Sequence, residues 1–360
     1  MHLYLRLFLL SISLLVIASC QASDVQQTQT TNAPLPAHHT KNGFKNLYTA
    51  PIGKGIFSFL KMRFFGDEPF SDQASQAHTI PIAKPEFNKL LQPGDQAQIT
   101  WLGHSSFLIQ YKGLAILTDP ILSMRASPLS FIGPKRLVDM PITLKDLPEI
   151  DFVIISHDHY DHLDKKTIQT LGSHPRYLVP LKLKDWFIDV GIDAAQVEEF
   201  DWWDNRKFTT LNVTATPSQH WSARRLFDRY SSLWAAWHIE IDDFSLWFAG
   251  DTGYNDIQFK EIGDKFTSID LALIPIGAYA PRWFMKQQHV NPEEAIQIHK
   301  DIGAKKSIGM HWGTFQLTAE PIREPVERLE KAVNNSLLQE GEFTTLAIGE
   351  TLFYSPEASD

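Results

Sequence analysis

The sequence predicts a layered α/β fold, strands interleaved with helices around one large core. Two observations carry this. From Gln96 onward, short runs rich in β-branched and aromatic residues alternate with segments of helical character. The residues able to do chemistry, His and Asp above all, come directly after those runs, at strand ends. At 360 residues with 43% hydrophobic content the chain can bury such a core without disulfides. Acidic residues (42) outnumber basic ones (33), so the broad cationic surface of a non-specific nucleic-acid binder is missing and no nucleic-acid partner is expected.

In chain order, Arg6 precedes an apolar run from Leu7 to Ala18, too short to span a bilayer but suited to the core of a signal peptide, which places a leader at residues 1–19. The run ends Ile17-Ala18-Ser19-Cys20, which resembles the lipobox of bacterial lipoproteins, where Cys20 becomes a lipidated N-terminus. The alternative is an ordinary secretory signal with an incidental thiol. As the chain's single cysteine, Cys20 can form no disulfide within it. Gln21, rather than Asp, follows, and by the same resemblance the protein is expected in the bacterial cell envelope, anchored by its lipid to the outer membrane and facing the periplasm. Residues 20–45, Gln-, Thr-, Ala- and Pro-rich, read as a flexible tether, and residues 46–360 as one large domain. The stretch Gly55 to Phe65 mixes aromatics with basic groups; it reads equally as an element lying in a membrane interface or as one folded on its own domain.

Strands are expected at Ala97–Trp101, Ser106–Gln110, Ala115–Thr118, Phe152–Ser156, Tyr177–Val179, Asn212–Thr216 and Leu246–Ala249. Helices are expected at Lys165–Leu171, with Asp164 as cap, at Leu183–Val190, and at Pro292–Asp301, with Asn291 as cap. The strand Phe152–Ile155 runs straight into Ser156-His157-Asp158-His159-Tyr160-Asp161-His162. Two His one residue apart on a turning loop can aim at one ion, and Asp161 with His162 can serve a second. One loop cannot complete two coordination shells, so further ligands are expected after later strands. His220 in Thr216-Pro217-Ser218-Gln219-His220, Asp251 in Ala249-Gly250-Asp251-Thr252-Gly253 and His311 in His311-Trp312-Gly313-Thr314 meet that demand, the glycines letting backbone approach the metals. His104 and Asp119 end strands near the same edge and are expected to orient ligands rather than to bind metal.

The order of these motifs resembles the metallo-β-lactamase superfamily. That resemblance implies an αββα sandwich with a dinuclear metal site at the sheet edge: His157, His159 and His220 on one zinc, Asp161, His162 and His311 on the other, Asp251 bridging. Trp101-Leu102-Gly103-His104, Leu117-Thr118-Asp119-Pro120, Arg125-Ala126-Ser127-Pro128, Gly133-Pro134-Lys135-Arg136, Asp201-Trp202-Trp203, Ile274-Pro275-Ile276-Gly277-Ala278-Tyr279 and Pro281-Arg282-Trp283-Phe284-Met285-Lys286 are similar, more narrowly, to N-acyl-phosphatidylethanolamine-hydrolysing phospholipases D. Asp158 stands where the animal members carry Asn. The resemblance implies two Zn²⁺ per chain, manganese or iron being open alternatives. It further implies hydroxide attack on phosphorus with Asp251 and Asp161 as catalytic residues, contacts to a membrane phospholipid from Tyr160, His289 and Gln288, and release of N-acylethanolamine and phosphatidic acid. Trp283, Phe284 and Met285 line an acyl groove or simply pack the core. Two other readings stay open: a metallo-hydrolase of other phosphodiesters, lactones or β-lactams, and a non-catalytic lipid-binding lipoprotein. A homodimer is also left open.

Overall fold

The computed structural model describes residues 35–50, 55–65, 70–225 and 227–356. The leader, Cys20 and most of the tether lie outside them. Strands β1 (His39–Thr40) and β2 (Gly43–Phe44) form a small hairpin, followed by helices α1 (Ile56–Phe65) and α2 (Phe87–Leu91). The first half of the domain then contributes β3 (Ala97–Gly103), β4 (Ser106–Tyr111), β5 (Leu114–Thr118), β6 (Phe152–Ile154), α3 (Lys165–Leu171), β7 (Arg176–Pro180), α4 (Lys184–Asp189) and β8 (Val197–Phe200). The second contributes β9 (Asn205–Lys207), β10 (Leu211–Thr216), β11 (Ala236–Ile241), β12 (Phe244–Phe248), α5 (Gln258–Lys265), β13 (Ile269–Pro275), α6 (Arg282–Met285), α7 (Pro292–Asp301), β14 (Ala304–Met310), α8 (Glu324–Asn334) and β15 (Phe343–Thr345). The last strand, β16 (Thr351–Tyr354), returns to the first half and pairs antiparallel with β3.

Two seven-stranded sheets result, in the orders β16-β3-β4-β5-β6-β7-β8 and β15-β14-β13-β12-β11-β10-β9. Each half of the chain makes the same move. Pairing is antiparallel through β5 in one sheet and through β12 in the other, then parallel to β8 and to β15. No repeat is visible in the residues; the repeat lies in the pairing pattern.

Period-two alternation explains why these segments are strands. In β6 and the residue after it, Phe152 and Ile154 point into the core between the sheets, while Val153 and Ile155 face the opposite side with Ile168 of α3 and Phe187 of α4. The inter-sheet core is dominated by aromatics, among them Trp101, Phe107, Trp234, Trp237 and Phe244. Burial of such rings is the main stabilising term of the domain. Helix α7 begins as its sequence predicts: Asn291 Oδ1 accepts from the Glu294 N–H at 2.9 Å, the Glu294 carboxylate accepts from the Asn291 N–H, and Pro292 takes the first turn. Asp164 caps α3 by accepting from Lys166 N–H.

One boundary moves. The tether was expected to run to residue 45, but the compact unit begins at Ala37, because His38, Phe44 and Asn46 are buried on the domain. Polar composition there concealed long-range partners. The stretch Gly55–Phe65 is a helix whose Met62 packs with Phe284 and Met285, while Phe57 stands exposed. Among the described residues no helix is long and apolar enough to cross a membrane.

Candidate metal centre

Every chemistry-bearing loop leaves its strand at one rim of the sandwich. His104 follows β3, Asp119 follows β5, His157 to His162 follow β6, His220 follows β10, Asp251 follows β12 and His311 follows β14. Three of these residues, His104, Asp119 and His311, hold positive φ angles of 54°, 32° and 62°, a region that costs a side-chain-bearing residue about 1–3 kcal/mol and that only surrounding packing can maintain.

The structure brings all seven predicted ligands together, buried in two adjoining groups. In the first, His157 Nε2 and His220 Nε2 lie 2.9 and 3.2 Å from His159 Nδ1. In the second, His162 Nε2 and His311 Nε2 each lie 3.5 Å from Asp161 Oδ2. Asp251 reaches both: its carboxylate oxygens are 3.1 Å from His162 and His311, and 3.9 and 3.8 Å from His157 and His220. The close approaches to His162 and His311 lack hydrogen-bond geometry, so His162 Nε2, His311 Nε2 and Asp251 Oδ1 are buried polar atoms with no hydrogen-bond partner. Such orphans are costly unless a cation occupies the space between them. Three imidazoles on one side, two imidazoles and a carboxylate on the other, with a shared carboxylate, suit borderline divalent ions.

Supporting contacts fix each ring. Asp119 Oδ2 lies 2.6 Å from His162 Nδ1, and its Oδ1 accepts from Ser156 N–H at 2.7 Å; Ser156 Oγ in turn lies 2.9 Å from His157 Nδ1. The Gln288 carbonyl oxygen lies 2.9 Å from His220 Nδ1. His104 Nε2 lies 2.9 Å from Asp161 Oδ2, the orienting position expected of it, although its nitrogen also falls within the second donor group. Gly250, at φ +57°, was expected to admit backbone to the metals; the close approach it permits is to Ser156, whose Cβ would sit 2.5 Å from an added methyl.

Burial, then mutual repulsion among the cluster's histidines, drives His157 well below its ordinary pKa, and burial takes His159 to about 3. Burial likewise opposes charge on His162 and His311, yet Asp251 and its neighbours outweigh it: His162 rises well above its usual value and His311 to about 9. Asp251 and Asp161 resist their burial and stay ionised, held well below the carboxylate range by His162 and its neighbours.

The predicted substrate contacts sit at the rim. Tyr160 donates from its hydroxyl to the Arg224 carbonyl at 2.7 Å, and the Arg224 guanidinium lies over its ring at 4.2 Å. His289 is buried, its Nδ1 3.9 Å from Asp251 and without a hydrogen-bond partner. Gln288 is buried too, its amide donating to Met285 Sδ at 3.6 Å and its carbonyl spent on His220, so its contacts here support a ligand. Phe284 and Met285, expected in an acyl groove or in the core, pack with Met62, and Trp283 is half exposed. Sequence reasoning missed Ser156, Trp221, which meets His159 edge-on at 4.4 Å, and Asn46, which donates to the His220 carbonyl at 2.8 Å and accepts from its N–H at 3.2 Å. Ser156 sits inside the motif and was legible; Asn46, 174 residues away, was not.

Comparison with known proteins places the chain in a family. The family model for the beta-lactamase superfamily domain matches residues 115–312. N-acyl-phosphatidylethanolamine-hydrolyzing phospholipase D 1 of Caenorhabditis elegans is 42% identical over 273 residues, covering 72% of this chain and 76% of that protein. The mitochondrial N-acyl-phosphatidylethanolamine-hydrolyzing phospholipase D of Saccharomyces cerevisiae is 38% identical over 239 residues, 64% of this chain and half (50%) of that one. Among solved structures, the metallo hydrolase Igni18 of Ignicoccus hospitalis superposes with a TM-score of 0.54 at 22% identity over 72% of this chain and 99% of its own, a likeness of fold. The chain belongs to the metallo-β-lactamase superfamily, as one of its metal-dependent hydrolases, and is similar in sequence to the phospholipases D that hydrolyse N-acyl-phosphatidylethanolamine.

Proposed function

We propose that this chain is a phospholipase D-type phosphodiesterase using two zinc ions, which cleaves N-acylated ethanolamine phospholipid into N-acylethanolamine and phosphatidic acid. The observation that carries the reading is the pair of donor groups sharing Asp251 beside a cleft of both cationic and apolar character. That cleft, about 500 Å³, opens next to Tyr160 and is lined by Arg125, Lys165 and Arg224 together with Met124, Leu129 and Trp186. Arg224 is largely buried; its guanidinium donates to the Asp158 carbonyl and feels the charges of Asp158, Asp164 and Asp228. A phosphodiester flanked by acyl chains matches those two kinds of wall.

His157, His159 and His220 would hold one ion, Asp161, His162 and His311 the other, and Asp251 would reach both. Two such ions supply Lewis acidity to a phosphoryl oxygen and make water nucleophilic at neutral pH. The chain's own groups do the rest. Asp251 orients the attacking water, Tyr160 and Arg224 face the phospholipid, and His289 Nδ1 stands free to hydrogen-bond an oxygen arriving beside Asp251. Water oxygen bonds to phosphorus and gives up a proton, the bond from phosphorus to the ethanolamine oxygen breaks, and that oxygen takes up a proton from water and leaves as the alcohol.

A lipid anchor at Cys20 in the bacterial envelope would hold the rim near its substrate, and exposed Leu129, Phe131 and Ile132 beside the cleft favour a membrane surface as partner. Vesicles containing N-acyl-phosphatidylethanolamine, incubated with zinc-loaded protein, are expected to release N-acylethanolamine, with loss of at least 10²-fold in His157→Ala. Turnover of soluble esters alone would move the reading to another metallo-hydrolase, and lipid binding without turnover to a non-catalytic lipoprotein.

A further inference from the structure

We propose a second, structural metal site formed by His38, His39 and Asp201, which clips the N-terminal segment to the domain. His38 Nε2 lies 2.6 Å from Asp201 Oδ1 and His39 Nε2 2.7 Å from Asp201 Oδ2, across 163 and 162 residues of chain. The three donor atoms lie within 4.8 Å of one another, a span that a first-row divalent ion with bonds of about 2.0–2.2 Å closes by small side-chain shifts.

Three features distinguish this from a chance pairing. His38 closes the turn before β1 and His39 opens the strand, and this change of backbone direction lets both imidazoles reach one carboxylate. Their planes are set by aromatic walls: His38 stacks on Trp202 at 4.3 Å and His39 meets Phe44 edge-on at 5.0 Å, so little rotamer freedom is left to lose on binding. Asp201 has no lysine or arginine partner among the described residues; its partly buried carboxylate is met by the two imidazoles and the Trp202 N–H, a donor set that a divalent cation can share. Two imidazoles and a carboxylate favour zinc, and the side chains of His39 and Asp201, 18% and 19% exposed, leave water access to a fourth position.

The clip has a consequence for the catalytic rim. The segment it holds continues to Asn46, which bonds both the N–H and the carbonyl of His220. A metal at the clip therefore steadies a residue of the main donor set from a distance.

The test is metal counting on the full chain, independent of turnover. After zinc loading and removal of free metal, Asp201→Asn and His38→Gln/His39→Gln are each expected to hold one zinc equivalent per chain fewer than the parent. A crystal of the parent should show an anomalous zinc peak between the three side chains. Equal zinc content in parent and both variants, or a peak confined to the main centre, would overturn the site and leave a hydrogen-bonded clip. Asp201→Asn preserves shape, so it keeps the test informative should the double variant fail to fold. Loss of phospholipase activity in the parent would bear on the proposed reaction and leave this count untouched.

Discussion

Asp158 shows how a single residue of the metal loop carries a cost unrelated to ligation. Its carboxylate accepts from Ala223 N–H and Ser232 Oγ, both at 2.9 Å, while Arg224, the neighbouring cation, donates to its backbone carbonyl. Burial raises its pKa to about 6. A carboxyl raised above its unfolded value adds stability below about pH 4 that is lost as pH rises through 6. In metal-free protein Asp158→Asn is therefore expected to flatten the stability profile across that window and raise stability at pH 7 by roughly 1–3 kcal/mol, checked by urea melts at several pH values. The opposite sign would show that the charge itself holds the loop from Ala223 to Ser232. His162 and His311 lead to a different expectation. Both are raised, His311 to about 9, so both carry a proton at pH 7 without metal. Zinc uptake must then release protons, about one to two per chain, read by calorimetry in buffers of differing ionisation enthalpy; no buffer dependence would contradict it. At this scale the site was largely legible, because donor type and spacing within His157 to His162 are written locally. The partners of those donors were legible only where they too stood at strand ends, as His220, Asp251 and His311 do. His38, His39 and Asn46 lie in a polar run whose meaning depends on contacts more than 160 residues away.

Elements explain why the rim is rigid. Strand β11 carries Trp237, fully buried, whose indole N–H donates to the Ile155 carbonyl at 3.0 Å, and just before it Ala235 N–H donates to the Ser156 carbonyl at 2.9 Å. The second sheet thus holds the first at the residue before the metal loop begins. Trp237→Phe should keep most of the packing but orphan that carbonyl, at a cost of about 1–3 kcal/mol in thermal or chemical denaturation. Asn291→Ala, which removes one half of the α7 capping box, should cost about 1 kcal/mol and leave zinc content unchanged. All seven expected strands appear, as β3 to β7, β10 and β12, because alternation and β-branching persisted there. Strands β1, β2, β8, β9, β11, β13, β15 and β16 were not anticipated; in β9 the exposed run Asn205-Arg206-Lys207 has no apolar face to read and exists by pairing with β10. Helix α8 was missed as well, although Val326 and Leu329 lie on one buried face.

For the whole molecule, the domain boundary at Ala37 makes a clear expectation. A chain starting at Ala37 should melt with the full-length protein, whereas one starting at Leu47, lacking His38, His39 and Asn46, should melt several degrees lower and bind zinc more weakly. Equal melting of the two truncations would place the clip outside the folding unit. The layered class was readable from strand and helix order, but not the doubling of one pairing pattern across two sheets, which sets every ligand loop on the same rim.

The strand that completes the first sheet is the last of the described strands in chain order. Until residues 351–354 are available, β3 presents an unpaired edge between Ala97 and Thr100, beside the turn that carries His104. Synthesis of β16, rather than of the ligands themselves, therefore sets the earliest moment at which both sheets can close. A chain interrupted just before Thr351 would keep every metal donor and still present a sticky, template-like edge.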